Sequence, residues 1–459
     1  MRKMLMYIIM IVAIVVTFGI PVSAGISKQE VERLGKDLTP FGAEKAGNAE
    51  GTIPEWTGGL TGVPDGIGYQ GPGDKHPDPF ADDNILFTID ASNVKTYGDK
   101  LNAGTRKMIE MYPDTMKVNV YPTRRTASAP QWAYDLTKES AVLCELTPDG
   151  LGLLNNCALG GVPFPIPTRG EELMFNHLLR WRNNGRTGIY DNKVVYADGK
   201  RVTMAAGNGW ERFSWWDIDR KGDYDGFYYE VLLEYTQPDR RKGEYLLLKD
   251  PLNQVENPRM AWQYLPGQRR VRRAPQVAYD TPDSGAGGTA TYDQAYMFNG
   301  ALDRYDWKLL GKKEMYIPYN CYQADLVSEE ELLTPHHLNP DHIRYELHRV
   351  WMVEATLKEG KRHAIARRIF YLDEDSWVIV MTDEYDGQDN LWRMAITTMK
   401  NAYEVPAVVQ RLNQFYDFTL DFYCVNPLYN NPEKDAFVKE LTVEPSFFSP
   451  EQLRRMGRR

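Results

Sequence analysis

Apolar and polar residues alternate through most of the C-terminal two-thirds of the chain. In RYELHRVWMVEATLK, Tyr345, Leu347, Trp351, Val353 and Leu357 fall on one face of an extended strand, and Glu346, His348, Glu354 and Lys358 on the other. HAIARRIFYLDEDSWVIVMTDEYD predicts a hairpin turning at Asp373-Glu374-Asp375, with a strand at 391–400 to pair next and another alternating strand at 415–424. Further strand-like runs occupy 187–196, 200–206, 227–237, 243–249 and 260–264. In the last of these, Met260, Trp262 and Tyr264 share a face; a Pro266-Gly267 turn then leads to a second strand carrying Arg269, Arg270, Arg272 and Arg273. Repeated strands with short turns, no alternation of strands with helices and no fixed-period repeat predict a β-rich α+β chain. Its centre is one large antiparallel sheet curved into a partial barrel.

The N-terminal third reads differently. Ser27 with Glu30 forms a capping box before a helix marked by Val31, Leu34 and Leu38. Residues 38–79 are rich in Gly and Pro and predict an ordered but irregular segment, anchored by Trp56. Helices are predicted over 90–112, with Leu101, Met108, Ile109 and Tyr112 inward, over 133–143, and over 169–182, with Leu173, His177, Leu178 and Trp181 along one side. The chain thus divides into 1–24, a segment 25–185 that packs on the sheet, and the sheet body 186–459, the last two forming one composite domain.

Residues 1–24 carry the marks of an export signal. Arg2 and Lys3 precede an apolar run over 5–20, and Val22-Ser23-Ala24 offers small residues for cleavage before Gly25. The run is short for a membrane span, which is the competing reading. Gly25, not Cys, follows the cleavage site, so no lipid attachment is expected there. The expected product is a soluble periplasmic protein. Its formal charge of −9 over 459 residues lacks the basic footprint of a nucleic-acid binder, while 28 Tyr, 16 Phe and 11 Trp suit strands and apolar pockets.

Export gives the four cysteines meaning. Cys144 and Cys157 flank CELTPDGLGLLNNC, whose Pro148-Asp149-Gly150 turn brings them together as a local disulfide; Cys321 and Cys424 are then expected as a long-range pair. Neither a Cys-x-x-Cys pair nor a Cys beside His occurs.

Several stretches together resemble the exported bacterial proteins catalogued as domain of unknown function 1329. They are LTPFGAEKAGNAEGTIPEWTGG, GGVPFPIP with the following NHLLRW, MAWQYLPGQRRVRRAP, NGALDRYDWKLLGKKEMYIPYN, and RYELHRVWMVEATLKEGKRHAIARRIFYLDEDSW, in that order over essentially the whole mature chain. That family is grouped with the lipoprotein carriers LolA and LolB. The resemblance therefore implies a half-barrel with helices covering its concave side and an apolar cavity that shelters acyl chains. It also implies a role beside RND-type exporters and outer-membrane proteins. The chain is far longer than a LolA carrier, and its first 180 or so residues have no counterpart there, so the ligand is free to differ.

Candidate site residues follow from these readings. Trp262, Tyr264, Trp351, Val353, Phe370 and Trp377 are expected either to line a lipid cavity or to form ordinary sheet core. Arg269, Arg270, Arg272 and Arg273 meet an anionic headgroup, an acidic partner or only water; alternate residues of a strand cannot all serve one site. His336, His337, Asp341 and His342 have ligand chemistry without a metal-site spacing, while His177, His348 and His363 are isolated. Asp303, Asp306, Asp373 and Asp375 offer carboxylates for hydrolysis, yet no Gly-x-Ser-x-Gly elbow surrounds Ser214 or Ser284. No cofactor is called for. The expectation is a periplasmic binding or transfer protein for a hydrophobic or lipid-like molecule. A ligand-free subunit of an export complex is the second reading and an envelope hydrolase the third.

Overall fold

The computed structural model describes residues 26–154, 157, 159–219, 224–274, 279–430, 437–438 and 444–458; the expected export signal, 1–24, lies outside them. The strands are β1 (Phe87–Ile89), β2 (Val118–Val120), β3 (Gly185–Tyr196), β4 (Arg201–Arg212), β5 (Phe227–Gln237), β6 (Tyr245–Pro251), β7 (Met260–Leu265), β8 (Arg270–Arg273), β9 (Tyr305–Pro318), β10 (Tyr345–Leu357), β11 (Arg367–Asp373), β12 (Ile379–Tyr385), β13 (Leu391–Ala402), β14 (Ala407–Asp417) and β15 (Phe422–Leu428). They form one open sheet in the order β1-β2-β10-β11-β12-β13-β14-β15-β3-β4-β5-β6-β7-β8, with β9 against β10. Pairing is antiparallel throughout this path, except where Tyr345 of β10 meets Val120 of β2 in parallel.

Both faces of the sheet are covered. One face contributes Val353, Phe370, Leu372, Ile379, Phe415, Cys424, Val194, Val231 and Leu248 to a single core, roofed by helices Gln131–Leu143 and Gly170–Leu178 through Tyr134, Leu173 and Phe175. The opposite face of the central strands, through Tyr371, Val380, Ile396, Leu412, Tyr423 and Val425, packs Met108 and Ile109 of helix Ala103–Met111. Farther along, Leu232, Leu247 and Tyr264 pack under helix Pro450–Met456. Helices therefore lie on the outer face as well as on the roofed one.

The local expectations hold where side-chain chemistry fixes them. Ser27 caps helix Lys28–Val31 reciprocally with Glu30, although the helix runs only one turn before Gly35 adopts φ +85°. Trp56 Nε1 donates to Ala127 O at 2.9 Å and anchors the irregular segment. The helix expected over 90–112 is two helices, Val94–Tyr97 and Ala103–Met111. Asn102 breaks it: its side chain caps the second helix and donates to Asp383 Oδ1 at 2.6 Å. The strand expected over 415–424 is a hairpin. Asp417 Oδ1 accepts the N–H groups of Thr419 and Leu420 and closes the turn, and the alternation survives because Phe415 pairs with Cys424 and Tyr416 with Tyr423.

Cys144 and Cys157 form the expected disulfide across the turn, where Gly150 takes φ +74°. The expected Cys321–Cys424 bond is not made. Both thiols are free and buried in cores on opposite faces of the sheet. Cys321 Sγ donates to Arg344 O at 3.3 Å, and burial pushes its thiol up to about 12.

Candidate functional site

One face of six neighbouring strands, β14, β15 and β3 to β6, bends around a cavity of about 160 Å³ that residues 283–299 close from above. The strands supply it by alternation. Tyr229, Val231, Leu233 and Tyr235 of β5 point in, with Leu246 and Leu248 of β6 beside them. Glycine makes the room: Gly188 and Gly209 pair across β3 and β4 and both face the cavity, so no side chain fills that stretch of wall.

The rest of the lining is polar and aromatic. Arg186 pairs with Glu211, which also accepts the hydroxyls of Tyr229 at 2.7 Å and Tyr296 at 2.6 Å. Burial would raise the Glu211 carboxyl, but Arg186 and the tyrosine hydroxyls hold it below the ordinary carboxylate range. Behind this group the Arg182 guanidinium lies over Phe213, 4.0 Å from the ring centroid, and over Tyr296, 4.5 Å away. Arg180 donates to His177 O at 2.5 Å and to Gln410. Among the described residues no carboxylate pairs with Arg180 or Arg182, and burial lowers the proton affinity of both. Arg186 and Arg259 thus line the cavity with Glu211 and Asp283, and the Arg180 and Arg182 guanidiniums stand behind the Tyr296 and Phe213 rings, a basic backing that suits an anionic group.

A family described as a protein of unknown function, DUF1329, matches residues 88–454. The chain belongs to the DUF1329 family. It is 41% identical over 455 residues to the uncharacterized protein PA3922 of Pseudomonas aeruginosa, with 95% of each chain covered. Among solved structures it is similar to a DUF1329 family protein from Desulfovibrio piger, with 14% identity, 59% of this chain, 92% of that one and a TM-score of 0.40. It is also similar to a putative outer membrane lipoprotein-sorting protein domain from Vibrio parahaemolyticus, with 12% identity, 62% and 97% covered and a TM-score of 0.42. A LolA superfamily protein from Nitrosomonas europaea is 10% identical, with 62% and 100% covered and a TM-score of 0.36.

In this DUF1329 chain none of the six aromatic and aliphatic residues expected at the cavity lines it. Trp262 and Tyr264 point to the outer face, where Tyr264 OH donates to Gly457 O at 2.7 Å. Val353, Phe370 and Trp377 are fully buried in the roofed core, with Trp351 half-buried at its margin. They lie on β10, on β11 and in the turn after it, away from the strands that bend around the cavity. Arg269, Arg270, Arg272 and Arg273 are exposed at the edge of the sheet, with no ion pair among the described residues; Arg273 lies 5.6 Å from the Trp262 ring centroid.

The remaining candidates have separate partners. His336 meets Asp421 at 2.9 Å, His337 meets Leu338 O and Thr115, His342 meets Glu331 and Asp341 meets Lys117, so TPHHLNPDH builds no shared site. Asp303 pairs with Lys361, and Asp306 lies 3.9 Å from Lys358. His177 Nδ1 lies 3.0 Å from Ile379 N and 3.1 Å from Trp377 O, and Nε2 lies 3.0 Å from Tyr296 O; burial lowers its pKa well below the ordinary value. His363 sits against Asp293 and Arg368. Asp373 and Asp375 come together with His348. The cavity residues themselves had one signal in the sequence, the alternation of FYYEVLLEYTQ, which marks Tyr229, Val231, Leu233 and Tyr235 as one face.

Proposed function

We propose that this protein binds, and passes on, an amphiphilic molecule with an apolar body and an anionic head, and that it does so in the bacterial periplasm without chemistry of its own. The observation that carries the reading is the cavity: apolar walls at Val231, Leu233, Leu246, Leu248 and Phe415 end on the buried Arg186 guanidinium, with Arg182 stacked behind Phe213 and Tyr296. Each methylene buried there contributes about 0.8 kcal/mol, and a guanidinium already stripped of water meets a carboxylate or phosphate with two parallel hydrogen bonds. At about 160 Å³ the cavity admits a ring or a short chain as it stands. A longer acyl chain enters when residues 283–299, built of single 3-10 turns with glycines at 285, 287 and 288, lift from the sheet.

The export signal over 1–24 and the Cys144–Cys157 disulfide favour the oxidising periplasm. Among the described residues no helix is long and apolar enough to cross a membrane.

The test is native mass spectrometry and solvent extraction of the protein isolated from its own periplasm. A bound acidic amphiphile, released on denaturation, is the expected result. Protein that leaves the periplasm with no apolar molecule attached, and that takes up neither a fatty acid nor a lysophospholipid in titration, ends the proposal.

A further inference from the structure

A second cluster of polar side chains stands outside the cavity lining. The turn between β11 and β12 runs Asp373-Glu374-Asp375-Ser376, and His348 stands beside it on β10. His348, Asp373 and Asp375 each offer one ligand-competent atom, and the three atoms lie within 4.8 Å of one another, all buried.

Each of the three is already held at one atom or, in Asp375, at both oxygens. His348 Nε2 meets Glu346 Oε2 at 3.1 Å, Ser376 Oγ donates to Asp373 Oδ2 at 2.5 Å, and Arg125 donates to both oxygens of Asp375 at 2.9 and 2.6 Å. What remains points inward. His348 Nδ1 and Asp373 Oδ1 face each other at 3.9 Å, too far for a hydrogen bond. Asp373 Oδ1 has no hydrogen-bond partner. The Tyr319 ring stacks on His348 with centroids 4.0 Å apart, and its buried hydroxyl, close enough to Asp373 and Asp375 to feel their charge, also has no partner. Each such orphan is destabilising if nothing meets it.

The charges leave the same gap. Arg344 pairs with Glu346, Lys312 with Glu374 at 3.2 Å, and Arg125 with Asp375. Asp373 alone among the four carboxylates has no lysine or arginine within salt-bridge reach among the described residues.

We propose that His348 Nδ1, Asp373 Oδ1 and an Asp375 oxygen hold a divalent first-row transition cation of the zinc or manganese class, with Tyr319 OH directed at a water on the same ion. An imidazole with two carboxylates selects such ions over calcium or magnesium, which take oxygen alone. The arrangement around the three ligands is the one metal sites use: a carboxylate on the far ring nitrogen of His348, Ser376 on the far oxygen of Asp373 and Arg125 on the oxygens of Asp375 fix the ligands in place. The ion is structural. Arg125, which orients Asp375, also donates to Glu44 O and Lys45 O, so one site ties the β11–β12 turn and β10 to the irregular segment 38–60.

The competing arrangement is a proton in the same gap, and one experiment separates the two. The full mature chain is purified without chelators or an affinity histidine tag, and its metal content is measured by elemental mass spectrometry. It is then unfolded in EDTA and refolded with Zn²⁺, with Mn²⁺ or with neither. The expected result is about one equivalent of ion per chain, with a melting temperature at least about 5 °C lower in the metal-free refold and restored by the ion. Asp373→Asn and His348→Gln then lose the ion. A chain that binds less than about a tenth of an equivalent, or whose melting temperature ignores the metal, overturns the proposal. So does an Asp373→Asn variant that keeps the ion, which places it elsewhere, or one that is more stable than the parent, which is the mark of a buried proton. The refolding arm uses the unaltered chain, so it decides the matter even if a variant does not fold.

Discussion

The roofed face of the sheet is filled in one half and open in the other. In the filled half Phe370 stands between Phe298 and Trp307, with centroids 5.7 and 5.8 Å away, and Trp377 is fully buried with its indole N–H donated to Phe41 O. In the open half Gly188 and Gly209 face each other across two strands, Ala205 lies on the same wall, and the large side chains are tyrosines whose hydroxyls carry hydrogen bonds. The same face of the same sheet therefore closes or opens according to whether large aromatics or small residues meet at its centre. A cavity in this fold is made by omission: it is where aromatic bodies stop and glycine begins.

The largest effect belongs to the filled half. Phe370→Ala removes a fully buried ring between two others and should cost about 3–5 kcal/mol in urea unfolding. Binding of an acidic amphiphile by the folded variant should stay within about twofold of the parent, since Phe370 does not itself line the cavity. A large loss of binding at unchanged stability would mean that the filled half also holds ligand, and the contrast between the halves would fail.

The halves differ as much in charge. Glu211 in the open half is held ionised by Arg186, whereas burial raises Glu384 in the filled half to about 7. Glu384 accepts from Gln294 Nε2 at 2.6 Å and feels Arg368 and Arg393, which favour its charge, and Asp293, which opposes it. A carboxyl raised in the folded state binds its proton more tightly there than in the unfolded chain. Its contribution is therefore present below about pH 4.5 and is lost as pH rises through about 7, a span on the order of 3 kcal/mol. Glu384→Gln keeps the acceptor and removes the titration. The variant should unfold at higher urea than the parent at pH 8 and match it near pH 4.5. A Gln variant that is the weaker one at pH 8 would show that the two arginines keep Glu384 charged and that the filled half is no drier than the open one.

How much of this was legible follows from the same contrast. Strand positions were readable because alternation is local: β5 begins and ends where FYYEVLLEYTQ does, and even the misread 415–424 kept its faces, since the hairpin turn preserves parity. Trp262 and Tyr264 share one face, as the alternation predicts. Alternation does not say which face looks inward, and in β7 it is Ala261 that joins the roofed core. Aromatic content drew attention to Trp351, Phe370 and Trp377, and large aromatics are what plug the filled half. Gly188 and Gly209, which open the other half, read only as weak strand positions until their pairing across β3 and β4 is seen. The Cys321–Cys424 expectation failed for the same reason, because the side of the sheet on which each thiol lies is a property of the assembled fold.

Gly209→Leu turns the open half into a filled one and carries the smallest stability change. A Cβ at Gly209 meets Leu233 at 3.4 Å and Tyr190 at 3.7 Å, which are ordinary contacts, so the added side chain grows into the cavity without displacing backbone. The neighbouring Gly207 does not offer this, since a Cβ there would stand 1.7 Å from Glu234 O. Leucine also restricts the unfolded chain more than glycine, so the variant should be as stable as the parent or gain up to about 1 kcal/mol. Binding should fall at least about tenfold, close to 1.4 kcal/mol, because the apolar body of the ligand and the leucine compete for one volume. A folded Gly209→Leu variant that binds an acidic amphiphile as tightly as the parent would move the ligand out of this cavity. The basic sheet edge at Arg269, Arg270, Arg272 and Arg273, where four exposed cations stand without an ion pair among the described residues, would then be the surface to test.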